Sequence, residues 1–263
     1  MNEQQDTGIN SFGSVSVLLV DDNKVNQFLG KKILKNLGIT NVDVASDGMT
    51  ALEMLQKKNF QVLLTDVEMP GMNGYELTTA VRNLKDNNKD ITIIALTANA
   101  TAEEKEYALR NGMNDYLSKP YSPGDLQNVL QKHMKRSDVF LGVENHETAA
   151  SGNPVKALYL LFNNNKEDVL NLLLLLKNQL PEIMLTLKND ILSDNYNEVF
   201  NSAHKLKSTI KLFNDEQLFQ CVCTITENAR TNSGIEQIPA LYDDLSKGVS
   251  SILVLINQEI ESI

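Results

Sequence analysis

Val15-Ser16-Val17-Leu18-Leu19-Val20-Asp21-Asp22-Asn23 is the stretch that decides the fold. Its six-residue, largely aliphatic run reads as a strand buried on both faces, because an exposed face would impose polar alternation. Two carboxylates follow at once, and then a helix-period segment over 23–37. Working outward, the same unit recurs four more times. Strands are expected at 15–20, 42–45, 62–65, 91–96 and 116–117, and helices at 23–37, 48–57, 75–84, 102–111 and 123–134. Gly38 and Gly112 fall where helix C-caps are expected, and Pro123 falls at a helix start. Five βα units of this kind make a doubly wound, flavodoxin-like α/β domain with a five-stranded parallel sheet.

Residues 137–153 lose all periodicity and are rich in small, polar and glycine residues, which marks a linker. Beyond it the strand pattern disappears. Leucine-rich helical stretches cover 166–180, 181–192, 196–213, 215–230 and 238–260, so an antiparallel helical bundle is expected over 154–263. Pro181 is expected to kink one long helix or to start a new one, and Asn214-Asp215 to form a turn with an N-cap. Residues 1–13 are expected to be disordered and 14–136 to form the α/β domain.

Composition narrows the function. The 263 residues carry a formal net charge of −10, and the acidic excess is shared by both halves. Neither half has the basic surplus that nucleic-acid binding demands, so nucleic acid is not expected as a partner. Two cysteines, Cys221 and Cys223, are too few for a disulfide framework. The longest apolar run, 172–176, is far short of a membrane span, and the polar N-terminus lacks a signal-peptide core. A soluble, cytoplasmic protein is expected.

In an open parallel sheet, ligands bind beyond the carboxyl ends of the strands. The residues there are Asp21 and Asp22 after the first strand, Asp66 after the third, Thr97 at the end of the fourth and Lys119 past the fifth. Three carboxylates converging on one crevice repel one another unless a cation sits among them, and an all-oxygen site suits Mg²⁺. Lys119 adds a mobile positive charge for an incoming phosphoryl group. Singly, each has a plainer role, with Asp22 as a helix N-cap, Lys119 on the surface and Thr97 as a β-favouring residue. Five such side chains at successive strand ends argue for a site.

Four ordered segments carry a family resemblance. They are Leu18-Leu19-Val20-Asp21-Asp22-Asn23, Thr65-Asp66-Val67-Glu68-Met69-Pro70-Gly71-Met72-Asn73-Gly74, Ala95-Leu96-Thr97-Ala98 and Tyr116-Leu117-Ser118-Lys119-Pro120. The first domain resembles a response-regulator receiver domain. The resemblance implies that Asp66 is the phosphoryl acceptor and that Asp21, Asp22, Asp66 and the main-chain carbonyl of Glu68 hold Mg²⁺. It also implies that Thr97 and Lys119 bind phosphoryl oxygens, that Thr97 and Tyr116 move together as a switch, and that the Lys119-Pro120 peptide is cis. Glu68 and Asn99 would flank the site, either influencing water attack or lying as solvated loop residues.

The chain has three histidines, of which His133 and His146 show no convincing partners in the sequence. His204 lies in a segment whose apolar stripe is Val199, Ala203, Leu206, Ile210 and Phe213, with steps of four, three, four and three. On that wheel His204, Ser208 and Lys211 fall on the far side and Lys207 at the margin, so His204 is expected to face solvent. The segment Ala203-His204-Lys205-Leu206-Lys207-Ser208 resembles the motif of histidine phosphotransfer (HPt) domains, helical bundles that present one phosphorylatable histidine. The resemblance implies a role for His204 as a phosphoacceptor, with Lys207, Ser208 and Lys211 as auxiliary groups. Ser208 stands where that family most often has glycine, and Asn214 replaces a later glycine.

The two resemblances together imply a phosphorelay protein, similar to the C-terminal part of a hybrid sensor histidine kinase or to a free-standing pair of the same modules. No glycine-rich ATP-binding segment is evident, so a kinase activity is not expected. The expected partners are histidine kinases and other receivers. A 17-residue linker has a reach of about 20–25 Å, enough for Asp66 and His204 to meet within one chain. Two rivals stand beside this reading. One is a phosphorylation-switched binding protein whose bundle only recognises partners; the other is a phosphatase, for which no water-activating base is evident near Asp66.

Overall fold

The computed structural model describes residues 15–85, 87–98, 101–134, 154–162 and 164–263. The expected disordered N-terminus, the linker and His146 lie outside the described residues. The first part alternates β1 (Ser16–Val20), α1 (Lys24–Asn36), β2 (Asn41–Ala45), α2 (Gly48–Lys57), β3 (Val62–Asp66), α3 (Gly74–Arg82), β4 (Thr92–Thr97), α4 (Ala102–Arg110), β5 (Asp115–Ser118) and α5 (Pro123–Met134). All strand pairs are parallel, in the order β2-β1-β3-β4-β5. The aliphatic runs divide by alternate residue between the two faces, as the strand period requires. Val17 and Leu19 pack with Leu34 of α1 and with Leu126 and Leu130 of α5. Leu18 and Val20 pack on the other face with Leu55 of α2 and with Leu77 and Val81 of α3. Gly38 and Gly112 have φ of 81° and 90°, the left-handed conformation expected where a helix ends.

After a short 3-10 helix (Lys156–Phe162) come four long helices, α6 (Lys166–Leu192), α7 (Tyr196–Lys211), α8 (Glu216–Thr231) and α9 (Ile238–Ser262). They form a helical region with one core, α6 and α8 each lying against both α7 and α9. The stripe foreseen on α7 is buried in that core, from Val199 through Phe213. Pro181 neither breaks nor restarts α6, which runs through it as one helix of 27 residues. Buried Leu176, Leu180, Ile183, Met184 and Leu187 continue one packing stripe on both sides of the proline, so tertiary burial outweighs the lost backbone bond. Asn214 adopts φ 53° and Asp215 caps α8 through Leu218 N, the turn that the Asn-Asp pair signals. Among the described residues, no helix is long and apolar enough to cross a membrane.

The two parts share apolar surface. Val25 and Leu29, on the outer side of α1, are buried in the core of the helical region, and the Phe28 and Phe162 rings meet edge to face at 6.1 Å.

Candidate functional site

β1 and β3 are adjacent, so their carboxyl ends place Asp21 and Asp66 side by side at the mouth of the sheet. Asn23, rather than Asp22, caps α1, its Oδ1 accepting from Val25 N at 2.9 Å, which leaves the Asp22 carboxylate for the crevice. Oxygen atoms of Asp21, Asp22 and Asp66 all lie within 4.8 Å of one another. Lys119 Nζ reaches both Asp21 Oδ2 and Asp66 Oδ2 at 2.6 Å, and its peptide bond to Pro120 is cis, as expected. Thr97 closes β4, and its Oγ1 lies 3.5 Å from Glu104 Oε2 on α4.

The electrostatics follow from burial. Desolvation raises the pKa of Asp21, opposed by Lys119 and reinforced by Asp66. It raises Asp22 as well, opposed by the Lys205 ammonium 3.3 Å away. Burial works against the charge on Lys119, yet Asp21 and Asp66 outweigh it and hold the ammonium charged. Asp21 and Asp66 thus share Lys119 in the crevice, and Asp22 faces Lys205. The donor set, hard oxygens only, fits a divalent cation of the Mg²⁺ type.

One further residue is required for this geometry. A Cβ at Gly74, the first residue of α3, would stand 2.3 Å from the Asp66 carbonyl oxygen and 3.0 Å from Val67 Cα. A side chain there would push the end of β3 away, so glycine permits the close approach of α3 to the acidic residue.

His204 lies on the side of α7 away from the helical core, as the wheel predicts, but it does not face solvent. It is 8% exposed, because that side of α7 is seated on the first domain at the carboxyl end of its sheet. Nothing in the α7 stripe could reveal this, since it depends on the surface of α1. Nδ1 of His204 is 2.6 Å from Glu68 Oε2, an ion-pair contact whose angles lie outside hydrogen-bond geometry. The imidazole stacks at 6.0 Å on Phe200. A cavity of about 390 Å³ separates the two parts, with Asp22, Glu68, Thr97, Phe200 and His204 in its walls.

The auxiliary groups are distributed unevenly. Lys207 and Ser208 are buried. Lys211 donates to the Ala98 carbonyl at 3.1 Å, and burial followed by repulsion from Lys207 lowers its pKa. Tyr116 sits on β5 with the Lys105 ammonium 4.9 Å from its ring centre. Asn99 lies outside the described residues. His133 does have a partner, contrary to expectation, since its Nε2 is 2.7 Å from Asp115 Oδ2, which Lys132 also approaches at 2.7 Å. Asn23 and Gln179, which link the two parts, were not foreseen. The amide directly after the acidic pair was the only signal, and it reads equally well as a cap.

Comparison with known proteins fits the first part. Residues 17–131 match the model of the response regulator receiver domain. Over 129 residues the chain is 39% identical to hybrid signal transduction histidine kinase B of Dictyostelium discoideum, covering 45% of this chain and 6% of that protein. The chain therefore spans a small fraction of that relative. It is 35% identical over 123 residues to chemotaxis protein CheY-3 of Vibrio cholerae, covering 47% of this chain and 94% of that protein. Among solved structures it is similar to the receiver domain of sensor histidine kinase PA1611 from Pseudomonas aeruginosa, with magnesium in that protein's active-site cleft. That likeness has 37% identity and a TM-score of 0.43, over 46% of this chain and 98% of that one. Through residues 17–131, with the acidic crevice and lysine at the ends of its strands, the chain belongs to the response regulator receiver domain family.

Proposed function

We propose that the chain is a phosphorelay protein in which Asp66 and His204 are successive phosphoryl carriers. The observation that carries this reading is the position of His204, on the wall of the same cavity as Thr97, Glu68 and Asp22. The short connections of three residues after α6 and four after α7 favour antiparallel neighbours, and this supports the reading of the helical region as an HPt-like bundle.

Asp21, Asp22, Asp66 and the Glu68 main-chain carbonyl would hold Mg²⁺, which when bound supplies charge neutralisation to the phosphoryl oxygens. The chain's own groups do the rest. The Asp66 carboxylate attacks the phosphorus of a donor phosphohistidine; the P–N bond breaks and the donor imidazole leaves. Lys119 and the Thr97 hydroxyl bind the oxygens of the transferring group. In the onward step His204 uses the ring nitrogen not held at Glu68. A new P–N bond forms, the P–O bond to Asp66 breaks, and the carboxylate leaves with its electron pair. The imidazolium formed keeps its Nδ1 proton against Glu68. The chain carries no ATP site in this reading, and its partners are histidine kinases and receivers.

The test is the chemistry of the label. With a small phosphodonor such as acetyl phosphate and Mg²⁺, wild type acquires both a base-labile acyl phosphate and an acid-labile, base-stable phosphohistidine. Asp66→Asn takes up neither, and His204→Gln takes up the first alone. If wild type forms only the acyl phosphate, offered phosphorylated receivers included, the helical region is a partner-recognition module instead.

A further inference from the structure

We propose that Asn23 and Ser208 form a recognition pair that makes this chain's own receiver the partner of its helical region. Asn23 is 1% exposed, and both ends of its amide are occupied. Oδ1 caps α1 through Val25 N and accepts from Gln179 Nε2 of α6 at 3.1 Å. Nδ2 points into α7, to the Lys205 carbonyl at 2.8 Å, Thr209 Oγ1 at 3.0 Å and Ser208 Oγ at 3.2 Å. Asn26, one turn along α1, donates to the same Ser208 Oγ at 3.2 Å and to Asp21 Oδ1 at 3.0 Å. Ser208 in turn donates to the Lys205 carbonyl.

These bonds set register. Asn23 follows the acidic pair Asp21-Asp22, and Lys205 follows His204, so pairing them fixes the histidine beside Glu68. The surrounding contacts are less selective. Val25, Phe28 and Leu29 supply apolar area, and Lys32 pairs with Asp168 and Lys205 with Asp22. Any receiver with a greasy first helix and an acidic crevice could match those. The buried amides are different, because a receiver lacking them leaves the Gln179 Nε2 without its acceptor and the Ser208 and Thr209 oxygens without a donor, each hydroxyl keeping only its own bond to the Lys205 carbonyl. Rejection by unpaired buried polar groups is a strong discriminator. The partner selected is a receiver with carboxamides directly after its acidic pair and three residues further on, and this chain supplies one. The functional consequence rests on the relay reading, whereas the docking itself does not.

The test measures undocking in the full chain, by energy transfer between dyes placed at the exposed positions 49 and 192, across a urea range below the unfolding of either part. Asn23→Ser keeps a capping oxygen for α1 but has no amide, and Ser208→Ala favours its helix. Each single variant should raise the undocking constant roughly fivefold to tenfold. The double variant should fall short of the sum of the two singles, since the Asn23–Ser208 contact is lost in each. The constant should not depend on protein concentration. Unchanged undocking in both single variants, or fully additive effects, would overturn the pair. A constant that falls as protein concentration rises would overturn the intrachain assignment, with a second copy supplying the receiver. Phosphohistidine is measured in the same samples. Its absence from wild type ends the relay reading and leaves the energy-transfer result to decide the recognition pair.

Discussion

His204 and Glu68 meet across the boundary between the receiver and the helical region, Nδ1 lying 2.6 Å from Oε2. Burial disfavours the imidazolium, but Glu68 outweighs it and the histidine pKa is raised above its ordinary 6.5. The contact with His204 in turn lowers Glu68, against its own burial. A group whose pKa rises on docking stabilises the docked form fully below its undocked value and ceases to do so as pH climbs through the raised value. Docking should therefore weaken from about pH 6.5 upward. Glu68→Ala should bring the His204 titration down and flatten that pH dependence, as read by proton NMR of the imidazole. Asp66 labelling by a small phosphodonor should survive, because the main-chain carbonyl at 68 remains. An unmoved titration would remove Glu68 from the pairing.

Lys119 is the lone cation within reach of both Asp21 and Asp66 among the described residues. Lys119→Ala should leave buried carboxylates facing one another, and breaking a buried pair in this way costs about 3–5 kcal/mol. A lower Tm is expected without divalent cations, with most of the loss recovered at millimolar Mg²⁺. Labelling of Asp66 should stay impaired even then, since the charge that meets the phosphoryl oxygens is missing. Equal Tm values in metal-free buffer would contradict this account of the crevice.

Much of this was legible in the chain itself. Strands buried on both faces announce themselves as aliphatic runs, and the acidic residues sit where such a sheet must bind ligands, so Asp21, Asp22, Asp66, Thr97 and Lys119 could be named directly. The α7 stripe likewise placed His204 on the side away from the helical core. What the residues could not show is whether that side meets water or another surface. Val25 and Leu29 read as ordinary positions of α1, yet they are buried against the helical region. At Pro181 the residues left open one long helix or a new start, and the leucine stripe, which spans both sides of the proline, belongs to one long helix. His133 could be paired with Asp115 only once β5 and α5 were placed together.

Gly74 offers a steric prediction. A methyl group there meets the Asp66 carbonyl oxygen at 2.3 Å, and neither backbone can rotate away as a side chain would. Gly74→Ala should destabilise the chain by about 1–3 kcal/mol, the usual cost of forcing atoms into packed space. It should also reduce labelling of Asp66, whose strand end must shift. Urea unfolding and acetyl-phosphate labelling on one preparation would check both effects, and wild-type values for the two would show that the gap is wider than stated.

The last prediction concerns how phosphorylation is read on the surface. Thr97 Oγ1 lies 3.5 Å from Glu104 Oε2, so β4 and α4 are linked at the site itself. α4 is lightly anchored, with Ala108 its one buried residue, while Tyr107 and Leu109 are half or nearly half exposed. Lys105 of the same helix rests on the Tyr116 ring, which ties α4 to β5. A phosphoryl group on Asp66 offers the Thr97 hydroxyl a stronger acceptor than a distant carboxylate, and the hydroxyl should turn toward it. Glu104 loses that contact, and the helix with the least buried surface is the one free to respond. Amide exchange should therefore change across residues 102–118 when a phosphoryl mimic binds, while β1 and β3 stay protected. Thr97→Ala should still accept the mimic and show little of the change. If exchange over 102–118 is the same with and without the mimic, or if Thr97→Ala responds as fully as wild type, the threonine does not couple the site to α4.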